Sequence, residues 1–300
     1  MLNGFSFVPI DKMNVRFFVP ICPAAYRQRL LMNAFQYPAG LNGIGAVNKN
    51  TKAVGLIYTL RNPDSDDEYL RAFNSLIPPP DGLEILKRLL RQLIEQAVKR
   101  SSKTITASFF EPFNKTNKNE TADNLLLKEL FAEAGFEEPK PVKVNYKLNT
   151  VLLDKEKYRV LLPEATGVFS FQTFEEFGTF TDEQLPPHPP ELTPFIPNTD
   201  TKLSLLLLRN GKIAGWCSAS RLSSASIFYR TLYADEEAQK AYGSPLLLRQ
   251  IIAVHLEHDY APFAIFSGNI ENTQFHRILE RQFGKYCSSI ICELYAVKLL

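Results

Sequence analysis

The residues whose types and order best suit the binding of an anion lie around position 243. Gly243 and Ser244 precede an apolar stretch, residues 245–258, with the pattern of a helix, and Lys240 stands close by. The first amides of a helix lack intrahelical partners and its dipole is positive there, so phosphate binds readily. Gly243 adds backbone freedom and Ser244 a neutral cap, although Pro245 removes one donor. The sequence predicts either a phosphate site or a Gly-Ser-Pro helix start without a ligand.

A second glycine, Gly82, precedes the long helix predicted in the first half of the chain. There, Asp81 and Glu84 have the spacing of a capping box, in which side chains bond to the first amides of the helix. Two carboxylates at this end would also repel a phosphate. We therefore predict that the first helix start is closed to an anion and that the second is open.

The elements that must position residue 243 follow from the hydrophobic pattern. Asn210-Gly211 is a strong hairpin signal between two predicted strands. The proline-rich residues 184–197 cannot form a regular helix or a central strand, and we expect an extended loop, either a spacer or a substrate-facing lid. The predicted strands are residues 203–208, 213–219, 226–233, 262–266 and 290–298, and the predicted helices are residues 245–258 and 272–282.

The first half shows the same order of elements. Leu86, Leu89, Leu90, Leu93 and Ala97 form the apolar stripe of a helix packed on a sheet. The predicted strands are residues 15–19, 43–47, 53–60, 69–77, 104–110 and 142–153, and the other predicted helices are residues 23–35 and 124–134.

The two halves also correspond in spacing. Lys52-Ala-Val-Gly55 matches Lys212-Ile-Ala-Gly215 at a distance of 160 residues, and Gly82 matches Gly243 at 161 residues. An internal duplication leaves such a shared register, although the identities are few and coincidence is the competing explanation. We predict two domains, residues 1–150 and 151–300, with the charged residues 154–158 near the boundary.

Composition bounds the partners. The 300 residues carry a formal net charge of +2, which gives no broad field for nucleic acid or a membrane surface. No apolar run is long enough to span a bilayer and no leader is evident, so we expect a cytoplasmic protein. The four cysteines form no CxxC pair, and His255 and His258 lack a third ligand, so we expect reduced thiols and no metal.

The order of elements resembles the GNAT N-acetyltransferase fold. In that family a strand splays open before a long helix, and the turn between them, Arg or Gln followed by two residues, Gly, one residue and Gly or Ala, receives the CoA pyrophosphate. Lys240-Ala-Tyr-Gly243-Ser-Pro245 matches this turn in part, and the helices beginning at Asn124 and Asn272 resemble the family's Asn-x-x-Ala helix. The resemblance implies an α/β chain of two tandem GNAT-like domains, each a mixed, mostly antiparallel sheet flanked by helices.

The resemblance also implies an activity, the transfer of an acetyl group from acetyl-CoA to a small-molecule or peptide amine. It places backbone amides of the splayed strand, around Leu232 and Tyr233, near the thioester carbonyl. Because only the second helix start is predicted to be open to an anion, we expect CoA in the second domain, at Leu232, Tyr233, Lys240, Ala241, Tyr242, Gly243, Ser244 and Asn272.

Proton transfer is where the chain departs from the family. The tyrosine that often protonates the leaving thiolate is replaced by Phe131 and Leu279, neither of which can donate a proton. Tyr233, Tyr242 or water could substitute. Asp235 is a candidate base, as are Glu236 and His276, although each of the three also fits an ordinary surface position.

These departures leave two alternatives open. One is a catalytically silent duplicated protein that binds a ligand or a partner. The other is a transferase that uses aminoacyl-tRNA, for which the near-neutral charge offers little support.

Overall fold

The computed structural model describes residues 4–62, 64–112, 122–153, 168–258 and 261–300. The chain forms two compact units, and residues 142–149 fall in the second while the terminal segment Glu293–Leu300 falls in the first. The domain boundary near residue 150 stays a prediction, and the charged residues 154–158 lie outside the described ranges.

The first unit is built on five strands that lie side by side in chain order. Neighbouring strands are antiparallel, except that the fourth and fifth are parallel. The strands are β1 (Phe5–Pro9), β2 (Leu41–Asn48), β3 (Ala53–Arg61), β4 (Asp67–Ser75) and β5 (Thr104–Pro112).

Four helices accompany these strands: α1 (Val15–Phe18), α2 (Ala24–Gln36), α3 (Asp81–Lys99) and α4 (Ala122–Glu133). The predicted apolar stripe of α3 is largely confirmed, because Leu89, Leu90, Leu93 and Ala97 are buried together with Ile85. A stripe at this spacing can pack on a sheet while the opposite face of the helix stays in water.

The strand predicted at residues 15–19 is wrong, because these residues form α1. The cause is a local turn. The Asp11 side chain accepts hydrogen bonds from the amides of Met13 and Asn14, and the Asp11 carbonyl accepts from the Val15 amide at 2.9 Å. Aspartate bonded to its own following backbone favours a helix start over an extended chain.

The second unit contains six strands whose spatial order is β6, β11, β10, β9, β8, β7. They are antiparallel except for the parallel pair β10 and β11. The strands are β6 (Lys140–Asn149), β7 (Phe169–Thr173), β8 (Leu205–Arg209), β9 (Lys212–Ser223), β10 (Ser226–Ala234) and β11 (Phe263–Asn269). The last strand, β12 (Cys287–Leu299), is divided between the units after Cys292.

Within the described residues, the helices of this unit are α5 (Phe174–Phe177), α6 (Glu236–Lys240), α7 (Gly243–His258) and α8 (Thr273–Phe283). Helix α7 buries Leu247, Leu248, Ile251 and Ile252 in the core of the unit. The proline-rich residues 184–197 form the predicted loop with two short helical turns, and the Leu192 carbonyl accepts a hydrogen bond from the Trp216 indole at 2.8 Å.

The order of elements therefore recurs. A hairpin (β2–β3 or β8–β9) is followed by a strand (β4 or β10), a long helix (α3 or α7), a parallel strand (β5 or β11) and a shorter helix (α4 or α8). The matched glycines permit close approaches in both units. A Cβ atom at Gly82 would lie 1.9 Å from the Ile77 carbonyl oxygen, and one at Gly243 would lie 2.8 Å from that of Ala238.

Candidate functional site

The parallel strands of the second unit separate partway along their length. Strand β10 pairs with β11 only over Ser226–Tyr229, while its pairing with β9 continues to Ala234. Tyr229 opposes Ala219 and Thr231 opposes Ser218, so Arg230 is an extra residue in β10. Such a bulge bends a strand and breaks its pairing. Beyond the bulge, one edge of β10 has no strand partner in the described part of the chain, and Leu232 and Tyr233 lie on this open stretch.

The first unit contains the same kind of bulge in β4. Strand β4 pairs with β5 over Asp67–Tyr69, and the shift between Tyr58 opposite Ala72 and Thr59 opposite Leu70 leaves Arg71 as the extra residue. Both units thus have a bulged strand that opens away from its parallel neighbour.

The start of α7 lies immediately beyond the open strand and α6. Tyr242 adopts φ = 61°, a left-handed conformation that favours glycine. The amides of Gly243 and Ser244 have no hydrogen-bond partner among the described residues, and the first helical bond runs from the Leu246 amide to the Tyr242 carbonyl at 3.2 Å. The first turn also holds no acidic residue. This helix start therefore has unpaired donors and no competing carboxylate of its own.

The acidic residues just upstream are paired with cations. Asp235 caps α6 by accepting from the Ala238 amide at 2.6 Å, and Arg209 lies 3.9 Å from Asp235 and 2.5 Å from Glu237. Lys240 pairs with Glu236 at 2.7 Å, with both side chains largely exposed. Because exposed ion pairs are weak, Lys240 can exchange Glu236 for another anion at little cost.

The start of α3 in the first unit differs at each of these points. Pro80 is the N-cap residue and Asp81 the first helical residue, so the predicted capping box is wrong. The amides of Gly82, Leu83 and Glu84 instead bond to the carbonyls of Pro78 and Pro80 at 3.0 to 3.3 Å. Asp81 and Glu84 still lie in the first turn. The amides are occupied by backbone and the charge is negative, so this helix start disfavours an anion.

The predicted proton donors differ in their surroundings. The Tyr233 hydroxyl donates to the Pro187 carbonyl at 2.5 Å, and its ring lies 4.6 Å from that of Trp216. Burial, and secondarily the carboxylate of Asp235, raise the pKa of Tyr233, which makes it a weaker acid. Tyr242 is 76% exposed, and its hydroxyl has no partner in the described ranges. The roles of these residues stay predictions.

His276, a predicted base, is buried and already hydrogen bonded. Its Nε2 lies 2.8 Å from the Asn269 carbonyl and its Nδ1 lies 3.0 Å from the Tyr146 hydroxyl. A carbonyl only accepts, so Nε2 carries the proton and Nδ1 accepts from Tyr146. Asn272 caps α8 by accepting from the Phe275 amide at 3.1 Å, and its role in cofactor binding stays a prediction.

The pairing of His276 with Tyr146 is one of two tyrosine–histidine pairs that were not predicted from the sequence. His255 repeats the arrangement with Tyr229 at 2.8 Å and the Ala261 carbonyl at 2.7 Å. Burial is the main cause that raises the pKa of both Tyr229 and Tyr146. The pairs join residues 26 and 130 positions apart, so no local pattern in the sequence signals them.

The two positions where the family carries a tyrosine are core positions. Phe131 is 3% exposed and Leu279 is 1% exposed. Phe131 packs edge-on against Phe73, Phe109 and Phe136 at ring distances of 4.8 to 5.5 Å. Neither helix offers a hydroxyl at this point.

The described residues offer neither a metal site nor a membrane-spanning helix. No group of three or more His, Cys, Asp or Glu side chains there is arranged to hold a metal ion. No helix in those ranges is long and apolar enough to cross a membrane.

Comparison with solved structures identifies proteins of the same fold. A tandem GNAT protein from the clavulanic acid biosynthesis pathway matches with a TM-score of 0.68 and 13% identity over 98% of each chain. A GCN5-related N-acetyltransferase from Sphaerobacter thermophilus matches at 0.61 and 13% identity, over 97% of this chain and 95% of its own.

A GCN5-related glucosamine N-acetyltransferase region of a fungal multi-domain β-N-acetylglucosaminidase matches at 0.63 and 10% identity, over 97% of this chain and 38% of its own. No protein-family model and no curated protein matches the sequence. These likenesses confirm the predicted α/β fold with two tandem GNAT-like halves, and at such low identity they concern the fold alone.

Proposed function

We propose that this chain is an acyl-CoA-dependent N-acyltransferase that moves an acetyl group from acetyl-CoA to an amine, with CoA held by the second unit. The observation that carries the proposal is the open edge of β10 leading toward a helix start whose Gly243 and Ser244 amides are unpaired. Solved structures of the same fold are described as N-acetyltransferases, which supports this chemistry over other anion-binding functions.

In this proposal the pyrophosphate of CoA meets the amides of Gly243 and Ser244, flanked by Ala241 and Tyr242. Amides at a helix start attract phosphate through hydrogen bonds and the helix dipole. Lys240 adds a positive charge to this helix start when its exposed side chain separates from Glu236. Asn272 at the start of α8 is the remaining proposed contact with the cofactor.

Backbone groups of Leu232 and Tyr233 on the open edge of β10 are proposed to polarise the thioester carbonyl. Amide donors held by a strand stabilise developing negative charge without reorganisation. The bound acetyl-CoA supplies the activated acyl group. The amine must be neutral to attack the thioester. Asp235, which is half-buried between Arg209 and the cap of α6, is the proposed base that removes the proton of the amine.

The leaving thiolate needs a proton. The Tyr233 hydroxyl donates a hydrogen bond to the Pro187 carbonyl, and its pKa is raised, both of which make it a weaker acid. Tyr242 is exposed and its hydroxyl is unpartnered within the described ranges. We therefore assign the donor role to Tyr242 or to water.

Calorimetric titration of acetyl-CoA into the wild type and a Ser244→Glu variant tests the site. Gly243 is unsuitable for substitution because its Cβ atom would lie 2.9 Å from Leu207 and 2.8 Å from the Ala238 carbonyl. Ser224→Glu is the matched control, since this exposed residue lies at the opposite end of β10.

We expect at least tenfold weaker binding in Ser244→Glu, from lost hydrogen bonds to a charged group and added repulsion, and no change in Ser224→Glu. Equal binding by all three proteins would remove the site from α7. No binding by the wild type would contradict the proposal as a whole.

A second function, a silent duplicated protein that binds its ligand without turnover, is favoured by the apolar residues Phe131 and Leu279. Thiol release from acetyl-CoA, measured against a panel of small amines and lysine peptides, separates the two. Release that depends on one amine supports the transferase. Binding of acetyl-CoA without release against any amine supports the silent protein.

A further inference from the structure

The open strand pair of the first unit contains a cavity of about 310 Å³. Its walls come from α2, β4, β5 and α4. The volume lies at the lower end of the range for small-molecule sites, and most of the lining is apolar. Aromatic rings provide much of the wall: Tyr26, Phe73, Phe109, Phe110 and Phe131.

Arg71, the extra residue of the β4 bulge, is the charged member of this lining. Its Nε atom is buried and has no hydrogen-bond partner. No carboxylate within the described ranges forms an ion pair with it, and its guanidinium lies 5.5 Å above the ring of Tyr69. A buried guanidinium donor without a hydrogen-bond partner is unfavourable until an acceptor binds to it.

The described acceptors near the cavity are bonded to groups other than the Arg71 guanidinium. Glu111, which follows Phe110 at the end of β5, pairs instead with Lys128 of α4, so these two charges offset each other. The carbonyl of Tyr26 accepts from the Tyr58 hydroxyl at 3.2 Å. Among the described residues, the Arg71 guanidinium thus has no ion-pair partner at a cavity lined by aromatic rings.

We infer that this cavity binds a small aromatic carboxylate, with the ring among the aromatic side chains and the carboxylate on Arg71. Arginine suits this role because its planar donors match the two oxygens of a carboxylate. The residues that line this cavity all belong to the first unit, and ligand binding there does not depend on acetyl-CoA binding at α7.

The second unit provides a matched control. Arg230 occupies the same place in the β10 bulge, but it is exposed and lies 5.7 Å over the ring of Phe228. Replacing Arg230 removes the same charge from the same structural position without touching the cavity.

The experiment titrates phenylacetate and its neutral amide, phenylacetamide, into the wild type, Arg71→Met and Arg230→Met. Ligand-observed NMR measures the binding at each step of the titration. We expect saturable binding of phenylacetate to the wild type and to Arg230→Met. Binding should be at least roughly tenfold weaker for phenylacetamide and for Arg71→Met, because each loses a hydrogen-bonded charge pair. Arg71→Lys, which keeps the charge but not the planar fork, should be intermediate.

The absence of saturable phenylacetate binding to the wild type would overturn the inference. Equal affinity for the acid and the amide would do so as well, and so would unchanged binding in Arg71→Met. The comparison of acid with amide uses only wild-type protein, so it decides the question even if Arg71→Met does not fold.

Discussion

The two units build the same strand, bulge and long helix, yet the two helices begin differently. In the first unit, the first amides of α3 donate hydrogen bonds to the carbonyls of Pro78 and Pro80, and Asp81 and Glu84 lie in the first turn. In the second, Gly243 and Ser244 leave their amides unpaired in the described structure and no acid lies in the first turn. The same order of elements is thus combined with a helix start whose amides are paired in one unit and with one whose amides are unpaired in the other, and we propose that only the second accepts an anion.

A second difference lies where the parallel strands begin. Glu68 in β4 is fully buried and accepts from Ser102 at 2.6 Å and Asn42 at 2.9 Å, and also from Thr59, with Arg100 at 3.9 Å. The second unit places Ile227, also fully buried, at the matching position of β10. Buried polar contacts therefore stabilise this part of β4 in the first unit, whereas apolar packing stabilises the matching part of β10 in the second.

The largest expected effect is that of Glu68→Ala. Removing the carboxylate leaves Asn42, Thr59 and Ser102 without their acceptor, and breaking a buried charged cluster costs about 3–5 kcal/mol. Chemical denaturation of this variant beside Ile227→Ala, which should cost roughly 2–5 kcal/mol, measures the contrast. A loss below about 1 kcal/mol for Glu68→Ala would show that the cluster is not structural.

The matched glycines give the next effect. A methyl group at Gly82 would meet the Ile77 carbonyl at 1.9 Å, while one at Gly243 would meet that of Ala238 at 2.8 Å. Overpacking typically costs roughly 1–3 kcal/mol, and we expect Gly82→Ala at or above the upper end and Gly243→Ala near the lower end. The free energy of unfolding of both variants tests this order, which the reverse ranking would refute.

Removing the two negative charges at the start of α3 tests whether charge or backbone hydrogen bonding distinguishes the two helix starts. We expect the double variant Asp81→Asn, Glu84→Gln to lose about 0.3–1 kcal/mol of stability per charge, because acids favour the positive end of the dipole. It should not bind a second acetyl-CoA, because the amides of α3 stay bonded to Pro78 and Pro80. A second binding site in calorimetry would mean that charge alone closes this unit.

Lys240→Gln should have the smallest effect. The side chain is exposed and already pairs with Glu236, so its charge is screened by water. We expect acetyl-CoA binding to weaken by about two- to fivefold, a change typical of exposed charge pairs. A loss of more than about tenfold in the same titration would give Lys240 a direct role that its exposure does not suggest.

Much of the fold could be predicted from local patterns. The stripe on α3 and the Asn210-Gly211 hairpin depend on residues close in sequence, and both lie where the sequence predicts them. Strands β1 and β7 and helix α6 were not predicted. The signal for α6 was present, since Asp235 followed by Glu236 and Glu237 is typical of a helix start.

The site was predicted less completely, for two physical reasons. The bulges at Arg71 and Arg230 depend on which residues of neighbouring strands pair, and one sequence does not specify that register. The amides at the start of α3 bond to the backbone carbonyls of Pro78 and Pro80 rather than to side chains, so the predicted capping box is wrong, and the closure of this helix start to an anion stays a prediction.

Amide NMR of deuterated protein titrated with acetyl-CoA tests directly whether CoA binds to the second unit. We expect the amide signals of Gly243 and Ser244 to shift with saturation, while those of Gly82 and Leu83 do not move. Shifts confined to Gly82 and Leu83, or saturable binding that leaves Gly243 and Ser244 unchanged, would contradict the assignment of the CoA site to the second unit.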